Sequence, residues 1–391
     1  MTMSSLERQC TLGLGFIYAL RGFGMFLLAP LLSLYAVNLS GATPLTLGIA
    51  LGIYGLAQAI LQIPFGMASD RWGRKPVIIA GLLIFILGSV VAANSHSVYG
   101  LIVGRVLQGS GAISAVVLAL LSDIVRDTER TKAMAILGVS IGATFTLSLV
   151  LGPVLSNWMD IPGLFLLTAL LAVLSIVALY TLVPHEPKQH IVSAANVGSM
   201  TASVWQPRLI QLYISVFSLH ILLALVFVAL PFVMRDVLHL PVNKHWHVYL
   251  PALLCSFVCM LPFFYLEKKL KSIFKLFILP IVLLAGVQVV WMLQQYQSVF
   301  IVIAVLTVFF SAFNFLEAVL PSKISKVAPV VAKGKAMGVY SAAQYVGLFV
   351  GGMSGGVLLK SMSISAVFVA GIVVTCSWMI GMALLDRRTL H

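Results

Sequence analysis

The sequence contains very little charge. Of its 391 residues, 9% are Asp, Glu, Lys or Arg and 61% are hydrophobic, whereas about a quarter of the residues of a soluble globular protein are charged. So few charged side chains cannot cover a water-facing surface. The apolar residues form runs of about 20, long enough to cross a bilayer as helices, and the alternating pattern of membrane barrel strands is missing. These features predict an all-α membrane protein.

The sequence also lacks motifs for nucleotide-driven pumping and zinc hydrolysis. It contains no G-x-x-x-x-G-K-[ST] and no H-E-x-x-H, so neither a phosphate-binding loop nor that metal site is expected. We therefore expect no enzymatic activity, no cofactor and no metal. Despite a formal net charge of +13, no nucleic acid partner is expected, because the basic residues lie in the connections between apolar segments. A proton gradient is the expected source of energy.

Cysteine and histidine are scarce as well. The four cysteines lie in or beside apolar segments, which argues against a disulfide framework. Cys255 and Cys259 share one helix face, and two thiols without further ligands are expected to pack rather than bind a metal. Three histidines, His239, His245 and His247, lie near one another in a predicted external loop. Solvated side chains are expected there, with metal binding as the alternative.

Twelve apolar segments are predicted to span the membrane: 12–37, 46–69, 76–93, 98–122, 133–156, 163–184, 209–234, 247–266, 273–293, 299–321, 335–358 and 365–386. The longest polar stretch divides the chain into an N-terminal six-helix bundle at 1–184, a linker at 185–208 and a C-terminal six-helix bundle at 209–391. Basic residues concentrate at both termini and in the even-numbered connections, and the other side holds only Arg235, Lys244 and Lys360. Because basic loops stay inside, both termini are predicted to be cytoplasmic.

The two halves of the sequence resemble each other. Arg130-Thr131-Lys132-Ala133-Met134, Pro30 and Asp70-Arg71 have counterparts about two hundred positions later, at Lys333-Gly334-Lys335-Ala336-Met337, Pro231 and Glu267-Lys268. Three similar offsets in the same order predict two parallel six-helix repeats. That arrangement is typical of transporters whose halves rock around a central site.

The segment between the second and third spans carries the most specific motif. Gly66-Met67-Ala68-Ser69-Asp70-Arg71-Trp72-Gly73-Arg74-Lys75 matches in full the loop signature G-x-x-x-D-R-x-G-R-K of the major facilitator superfamily. A merely basic loop would not require the acid and both glycines. Gly66 is expected to allow close helix approach and Gly73 a tight turn. Asp70 is expected to pair with the basic residues or to face the positive N-terminus of span eleven.

Two related predictions concern the partners of this loop. Asp123, at the end of span four, is the expected second partner of Arg71 or Arg74. The C-terminal copy of the loop, Glu267-Lys268-Lys269-Leu270-Lys271, lacks both glycines and is expected to be the weaker of the two.

Two further segments resemble signatures of the same superfamily. Arg105-Val106-Leu107-Gln108-Gly109-Ser110-Gly111 resembles R-x-x-Q-G-x-G. This resemblance implies a role for Arg105 in proton coupling, and the alternative is a structural arginine bound to backbone carbonyls. The end of span five, from Ser148 through Gly152-Pro153 to Asn157, resembles the antiporter signature G-x-x-x-G-P-x-x-G-G, with serines and asparagine replacing three glycines. It favours export over uptake and predicts close packing against span eight.

Together these motifs resemble those of the drug/proton antiporter branch, and more narrowly those of YajR-like inner-membrane transporters, over the whole twelve-helix core. Gly24-Met25-Phe26, Leu121-Ser122-Asp123 and the run from Lys335 to Ser341 with Gln344 add to the narrower resemblance. It implies a bacterial inner-membrane location and a latch in which charges around Asp70 hold the two halves together. A monomer is expected. The soluble domain that follows the last helix in YajR is not expected here.

Four membrane residues are candidates for proton coupling. Glu317 is an acid inside a predicted span, where a titrating group is required of a proton-coupled carrier, and Asn314, one turn away, is expected to hydrogen-bond it. A structural anchor to Arg105 or Arg21 is the alternative role of Glu317. His220 titrates in the physiological range, although a packing role is commoner for a lone membrane histidine. In the family resembled, spans one, four, seven and ten line the cavity, and these spans hold Arg21, Arg105, His220 and Glu317.

The sequence predicts a proton-coupled antiporter that exports small hydrophobic or amphiphilic molecules by alternating access. Two arginines and one acid favour an anionic or amphiphilic substrate over a cationic drug. Asn314, Tyr340 and Gln344 are candidates for the substrate cavity, and close packing is the simpler role for the span that holds the last two. The alternatives are an uptake facilitator, uncoupled or proton-symporting, and a membrane sensor on a transporter scaffold that does not transport.

Overall fold

The described part of the chain is built from α-helices. A computed structural model describes residues 3–184, 205–270, 272–293, 298–329 and 333–389. The helices are α1 (Ser5–Leu27), α2 (Leu32–Ala36), α3 (Pro44–Trp72), α4 (Arg74–Ala93), α5 (Val98–Ser110), α6 (Ser114–Ile124), α7 (Asp127–Leu155), α8 (Ile161–Thr181), α9 (Pro207–Phe232), α10 (Trp246–Cys259), α11 (Leu261–Lys269), α12 (Ile273–Met292), α13 (Val299–Val327), α14 (Lys333–Ser361) and α15 (Ile364–Thr389). A π-helical turn, Val233–Val237, extends α9.

Within the described residues, twelve helices are long and apolar enough to cross a membrane, counting consecutive pieces as one. In the described residues the only bridge between extended segments joins Ser40 to Ser97. The predicted all-α fold with twelve spans is therefore confirmed, and the chain is a multi-pass membrane protein.

The helices group into two compact units. Unit 1 comprises Met1–Ala42 and Ile53–Val192, and unit 2 comprises Thr43–Gly52 and Ser193–His391. The start of α3 thus belongs to unit 2, whereas the sequence placed it in the N-terminal bundle. The reason is local: a Cβ on Gly48 would lie 2.3 Å from the carbonyl oxygen of Met353 in α14, so the two backbones touch. The linker predicted at 185–208 lies mostly outside the described residues, and α9 already begins at Pro207.

In unit 1, the first helix is held at its N-terminus by a buried ion pair. Ser4 and Glu7 form a capping box at the start of α1. The Glu7 carboxylate is buried and also accepts hydrogen bonds from the backbone N–H of Arg126 and from its guanidinium, at 2.8 to 3.0 Å. A carboxylate with this many donors stays ionised inside the protein. The contact fixes the beginning of α1 against the loop between α6 and α7.

The fourth span is broken, which the sequence did not predict. Helix α5 ends at Ser110 and α6 begins at Ser114, and Gly111 has a non-helical ψ of 54°. Its position is crowded, because a Cβ there would lie 2.4 Å from the carbonyl oxygen of Gly81 in α4. Only glycine permits this approach. The break leaves the Gly111 carbonyl without its usual helical partner, and this oxygen accepts instead from the backbone N–H of Ile113 at 2.9 Å.

In unit 2, α9 is the central helix. From Gln211 to Met234 nearly every residue is buried. Helix α14 crosses α9 closely, because a Cβ on Gly347 would lie 2.4 Å from the carbonyl oxygen of Phe217. The crossing places Gln344, which lies one turn before Gly347, beside α9. The glycines of α14 thus serve close packing, the simpler of the two predicted roles for this helix.

Candidate functional site

A titratable cluster lies in unit 2, where α9, α13 and α14 meet. The side-chain nitrogen of Gln344 lies 2.8 Å from His220 Nε2 and 3.3 Å from Glu317 Oε1. His220 Nε2 is 3.7 Å from Glu317 Oε2. The His220 side chain is 4% exposed and that of Glu317 is 35% exposed. One amide therefore joins the two titratable groups, one of which is buried and the other partly accessible.

The protonation pattern of His220 follows from its backbone partner. His220 Nδ1 lies 3.0 Å from the carbonyl oxygen of Val216, and a carbonyl can only accept, so Nδ1 carries the hydrogen. In neutral His220 the lone pair is then on Nε2, which accepts from the Gln344 amide. The same amide donates to Glu317 Oε1 at 3.3 Å. The contacts thus leave Nε2 as the histidine nitrogen that carries no hydrogen in the neutral ring.

Asn314, the predicted hydrogen-bond partner of Glu317, is placed differently from expectation. Asn314 donates to Ser256 Oγ at 3.1 Å and does not hydrogen-bond Glu317, so that prediction is wrong. The helical turn puts Asn314 against α10, and Gln344 from α14 takes its place. Tyr340 lies one turn before Gln344, and its hydroxyl is buried without a hydrogen-bond partner. Glu317 Oε2 also accepts no hydrogen bond, so the cluster keeps an unused acceptor.

A second polar cluster lies in unit 1 and is centred on Arg21 of α1. Arg21 Nη2 donates to the Gly111 carbonyl at 2.9 Å, to Gln58 Oε1 at 3.1 Å and to the Tyr54 hydroxyl at 3.3 Å. Its guanidinium also lies 5.3 Å from the centre of the Phe85 ring. Arg21 therefore adds a second donor to the Gly111 carbonyl, which also accepts from Ile113 N–H. All of these partners are neutral.

Arg105 lies on the other side of Tyr54. Its guanidinium is 4.7 Å from the centre of the Tyr54 ring, and its Nη1 donates to Gln108 Oε1 at 3.0 Å. The Gln108 amide in turn donates to Ser89 Oγ at 2.8 Å. Among the described residues neither Arg21 nor Arg105 forms an ion pair with a carboxylate, and the Nε of each is buried without a partner.

The glycine that follows Gln108 completes this arrangement. A Cβ on Gly109 would lie 2.3 Å from the carbonyl oxygen of Tyr54 in α3, so α5 and α3 touch through their backbones. The motif R-x-x-Q-G-x-G thus lies where α5 packs against α3 and α4. Arg105 contacts the Tyr54 ring, and Gln108 donates to Ser89 of α4. Gly109 allows the close approach of α3, and Gly111, where the helix breaks, accepts from Arg21.

The loop after the second span forms a charged cluster at the end of unit 1. Arg74 pairs with Asp70, and its Nε lies 2.9 Å from Asp123 Oδ2. Its Nη1 also donates to Ser69 Oγ at 2.6 Å. Arg74 thus joins the ends of three spans through their side chains. Of the two predicted partners for Asp123, the structure selects Arg74.

The other residues of the loop have separate positions. Gly73 has φ of +91°, which confirms the predicted tight turn between α3 and α4. Lys75 donates to the carbonyl oxygen of Val183 at 2.7 Å and so fixes the end of α8. Arg71 is exposed. A Cβ on Gly66 would meet nothing within 4 Å, so the predicted close helix approach at Gly66 is wrong.

The corresponding corner of unit 2 holds a simpler pair. Lys323 Nζ in α13 lies 2.9 Å from Glu267 Oε1 in α11, with side chains 19% and 23% exposed. Here one lysine meets one acid, whereas Arg74 in unit 1 meets two acids and a serine.

The antiporter-like segment packs against the first helix within unit 1. Ser148 Oγ donates to the carbonyl oxygen of Phe23 at 3.2 Å. A Cβ on Gly152 would lie 2.5 Å from the carbonyl oxygen of Leu27. Pro153 lies in the last turn of α7, which ends two residues later at Leu155. Packing of this segment against span eight stays a prediction.

The histidine and cysteine predictions need correction at three positions. His245 is fully buried and is not solvated; its ring lies 3.2 Å from the carbonyl oxygen of Leu240, in the segment before α10. Cys255 and Cys259 are exposed on α10, so their predicted packing role is wrong. In the part of the chain that the structure describes, no three histidine, cysteine or acidic side chains group as metal ligands.

Sequence reasoning missed three polar residues of the clusters. Tyr54 and Gln58 contact Arg21, and Ser89 anchors Gln108. The available signal was their polarity, because polar side chains inside apolar spans usually hydrogen-bond across helices.

Comparison with known proteins agrees with this architecture. The family model of the Major Facilitator Superfamily matches residues 14–320. The chain is 43% identical to the inner membrane transport protein YajR of Escherichia coli over 380 residues, which cover 96% of this chain and 83% of YajR. Over 149 residues it is 36% identical to the multidrug resistance protein MdtL of Klebsiella pneumoniae, covering 36% of this chain and 37% of MdtL.

A solved structure gives the same fold. A bacterial homologue of the human lysosomal transporter Spinster, in an inward-facing and occupied conformation, matches with a TM-score of 0.73 at 12% identity, over 98% of this chain and 96% of that one. A family model that matches most of the chain, a relative that is similar along nearly all of it and a shared twelve-span fold lead to one conclusion. The chain belongs to the Major Facilitator Superfamily and is a membrane transporter of that kind.

Proposed function

We propose that this transporter is a proton-coupled antiporter that exports small hydrophobic or amphiphilic molecules. The observation that carries the proposal is the contact of Gln344 with both His220 and Glu317. A proton-coupled carrier requires a group that gains and loses a proton during transport. This cluster offers two such groups within ion-pair distance, one of them partly accessible.

The geometry defines what a proton would change. In the observed contacts the Gln344 amide donates to both neighbours. When Nε2 of His220 gains a proton it becomes a donor, so the amide nitrogen can no longer face it. The new N–H can instead donate to Glu317 Oε2, at present 3.7 Å away, and Gln344 must turn its oxygen toward the ring or leave. Proton uptake therefore rearranges the contact between α14 and the pair formed by α9 and α13.

The charged cluster around Arg74 supports alternating access. Arg74 joins the ends of spans two, three and four through Asp70 and Asp123. We propose that this cluster is a cytoplasmic latch, with both termini in the cytoplasm as the basic loops predict. Its charge-assisted bonds are partly exposed, so they can break and re-form during transport.

The direction and the substrate class rest on separate features. Export is supported by the antiporter-like segment around Gly152-Pro153 and by the likeness to a protein named for multidrug resistance. A small-molecule substrate follows from the transporter family. An anionic or amphiphilic substrate fits unit 1, because Arg21 and Arg105 have neutral partners only. We further propose a monomer in a bacterial inner membrane, where YajR resides.

The test is proton movement in proteoliposomes that contain purified protein. A pH gradient is imposed, amphiphilic anions, cations and neutral compounds are added, and collapse of the gradient is followed. The wild type should show compound-evoked proton flux, and Glu317→Gln should show at least a tenfold lower flux. Glu267→Gln is the matched control, because it removes an acid of the same unit that pairs only with Lys323.

The outcomes separate the alternatives. If no compound moves protons in the wild type while labelled solutes still exchange, the protein is an uncoupled facilitator. If Glu317→Gln keeps full, gradient-driven flux, Glu317 is not the coupling acid and the proposed site is wrong. If neither protons nor solutes move under any condition, a sensor built on the transporter scaffold becomes the better interpretation.

A further inference from the structure

A basic cavity lies between α1 and α7 in unit 1, away from the clusters described above. Its volume is about 310 Å³, and it is lined by Met3, Arg8, Thr11, Leu12, Lys132 and Ile136. Two cations therefore face one cavity whose remaining walls are mostly apolar. Nothing in the proposed transport cycle uses this cavity.

The two cations have no counter-ion among the described residues. Within the described side chains, neither Arg8 nor Lys132 forms an ion pair or a hydrogen bond, and both are exposed. The nearby acid Glu7 already accepts four hydrogen bonds from Arg126 and Ser4. Thr11 donates its hydroxyl hydrogen to the Glu7 carbonyl at 2.7 Å. The cavity thus presents two positive charges that are free to meet an external anion.

The apolar residues continue from the cations toward the middle of the membrane. Leu12 and Phe16 follow Arg8 at four-residue spacing on α1, and they are 52% and 49% exposed. On α7, Ile136 and Val139 follow Lys132 on the same face, and Val139 is 72% exposed. Residues three or four apart lie on one helix face. Each helix therefore carries a cation at its end and an apolar strip below it.

The geometry points to a binding site for an anionic phospholipid. The phosphate of the headgroup would lie between Arg8 and Lys132, and one acyl chain would follow the strips of Leu12, Phe16 and Val139. Basic cavities between membrane helices bind anionic headgroups in this manner. A soluble phosphate would satisfy the two cations but would leave the apolar strips without a partner. The charge pattern therefore favours a lipid over a free anion.

Native mass spectrometry of the full chain in detergent tests this site. Phosphatidylglycerol is titrated, and phosphatidylcholine and soluble glycerol phosphate serve as the comparison ligands. The wild type should bind one phosphatidylglycerol molecule more tightly than the others, and Arg8→Gln/Lys132→Gln should weaken that binding about 20-fold, because each basic residue contributes roughly fivefold. Arg8→Lys/Lys132→Arg keeps both charges and should retain most of the affinity.

The matched control is Arg208→Gln/Lys275→Gln, which removes two exposed cations near helix starts in unit 2. It should leave the tight site intact, and elution as a single species confirms that each variant is folded. Equal loss in the control variant would mean that net charge alone attracts the lipid, and the site would be rejected. The proposal also fails if the Arg8/Lys132 variant binds phosphatidylglycerol as the wild type does, or if glycerol phosphate competes as strongly as the lipid.

Discussion

The two units hold a polar side chain at a similar place in their first long helix but surround it differently. In unit 1, Arg21 of α1 is a permanent charge whose hydrogen bonds go to neutral groups of α3 and the α5–α6 break. In unit 2, His220 of α9 lies beside Glu317 and shares Gln344 with it. The unit 1 cluster is built around an arginine, a side chain that stays charged, whereas the unit 2 cluster joins a histidine to a carboxyl group, the side-chain types that proteins use for proton exchange. The internal repeat has thus produced one structural cluster and one titratable cluster.

The fourth span of unit 1 and the tenth span of unit 2 also differ in structure. The fourth span of unit 1 is broken between α5 and α6, and Arg21 holds the break. The equivalent tenth span, α13, runs without interruption from Val299 to Val327 and carries Glu317. Arg21 is fixed across the break by its hydrogen bonds to Gly111, Gln58 and Tyr54. The continuous α13 has no break to bridge, and its Glu317 contacts Gln344 instead.

The largest effect is expected at the crossing that supports the unit 1 cluster. Gly109→Leu would place a side chain where even a Cβ lies 2.3 Å from the Tyr54 carbonyl oxygen. The backbones of α3 and α5 must then separate, at a cost of about 3 kcal/mol or more. We expect most of the protein to be lost from the monodisperse peak in size-exclusion chromatography.

Gly142→Leu is the control for that substitution. Gly142 lies in α7 of the same unit, and a Cβ there meets nothing within 4 Å. This variant should elute as the wild type does. If Gly109→Leu is equally well folded, the crossing is not a structural element of unit 1, and the contrast between the units is weakened.

A smaller effect on stability is expected from Arg21 itself. Arg21→Met leaves Gln58 Oε1 without its donor and removes one of two hydrogen bonds to the Gly111 carbonyl, which keeps the bond from Ile113 N–H. The cost is about 1–3 kcal/mol for one buried acceptor left unsatisfied. Part of this cost is offset because a buried charge is also removed. The midpoint of thermal unfolding should fall, whereas Glu317→Gln should change it little. If Arg21→Met is as stable as the wild type but no longer transports, its charge acts on the substrate and the structural interpretation is wrong.

The fold followed from the sequence because its causes are local or compositional. Apolar runs of spanning length and the placement of Pro30 and Pro231 suffice to predict twelve spans in two repeats, and twelve helices of the described residues are long and apolar enough to cross a membrane. The loop motif also placed Asp70, Arg74 and Asp123 together, since residues at span ends on one side of a membrane are brought close by the bundle. These predictions needed no knowledge of side-chain geometry.

The inner contacts could not be predicted in the same way. The break at Gly111 depends on how closely α4 approaches it, and the partner of Glu317 depends on where α14 crosses α9. The sequence predicted Asn314 as the neighbour of Glu317, whereas the helix crossing brings Gln344 to it. Pairing across helices depends on rotation and depth, which a hydrophobic pattern leaves undetermined.

The smallest effect on stability and transport is expected from the ion pair between Lys323 and Glu267 in unit 2, compared with Arg74 of unit 1, which pairs with both Asp70 and Asp123. Lys323→Gln should cost less than about 1 kcal/mol, the usual worth of a partly exposed pair, and should change exchange rates in proteoliposomes by no more than about twofold. Arg74→Gln should slow exchange more, because it leaves Asp70 and Asp123 without the cation that joins them.

The exchanged variant Glu267→Lys/Lys323→Glu keeps the unit 2 pair with its charges reversed and should transport as the wild type does. If Lys323→Gln slows exchange as much as Arg74→Gln does, and the exchanged variant restores it, the unit 2 pair is an equal partner in the latch and the predicted weakness of the C-terminal copy is wrong.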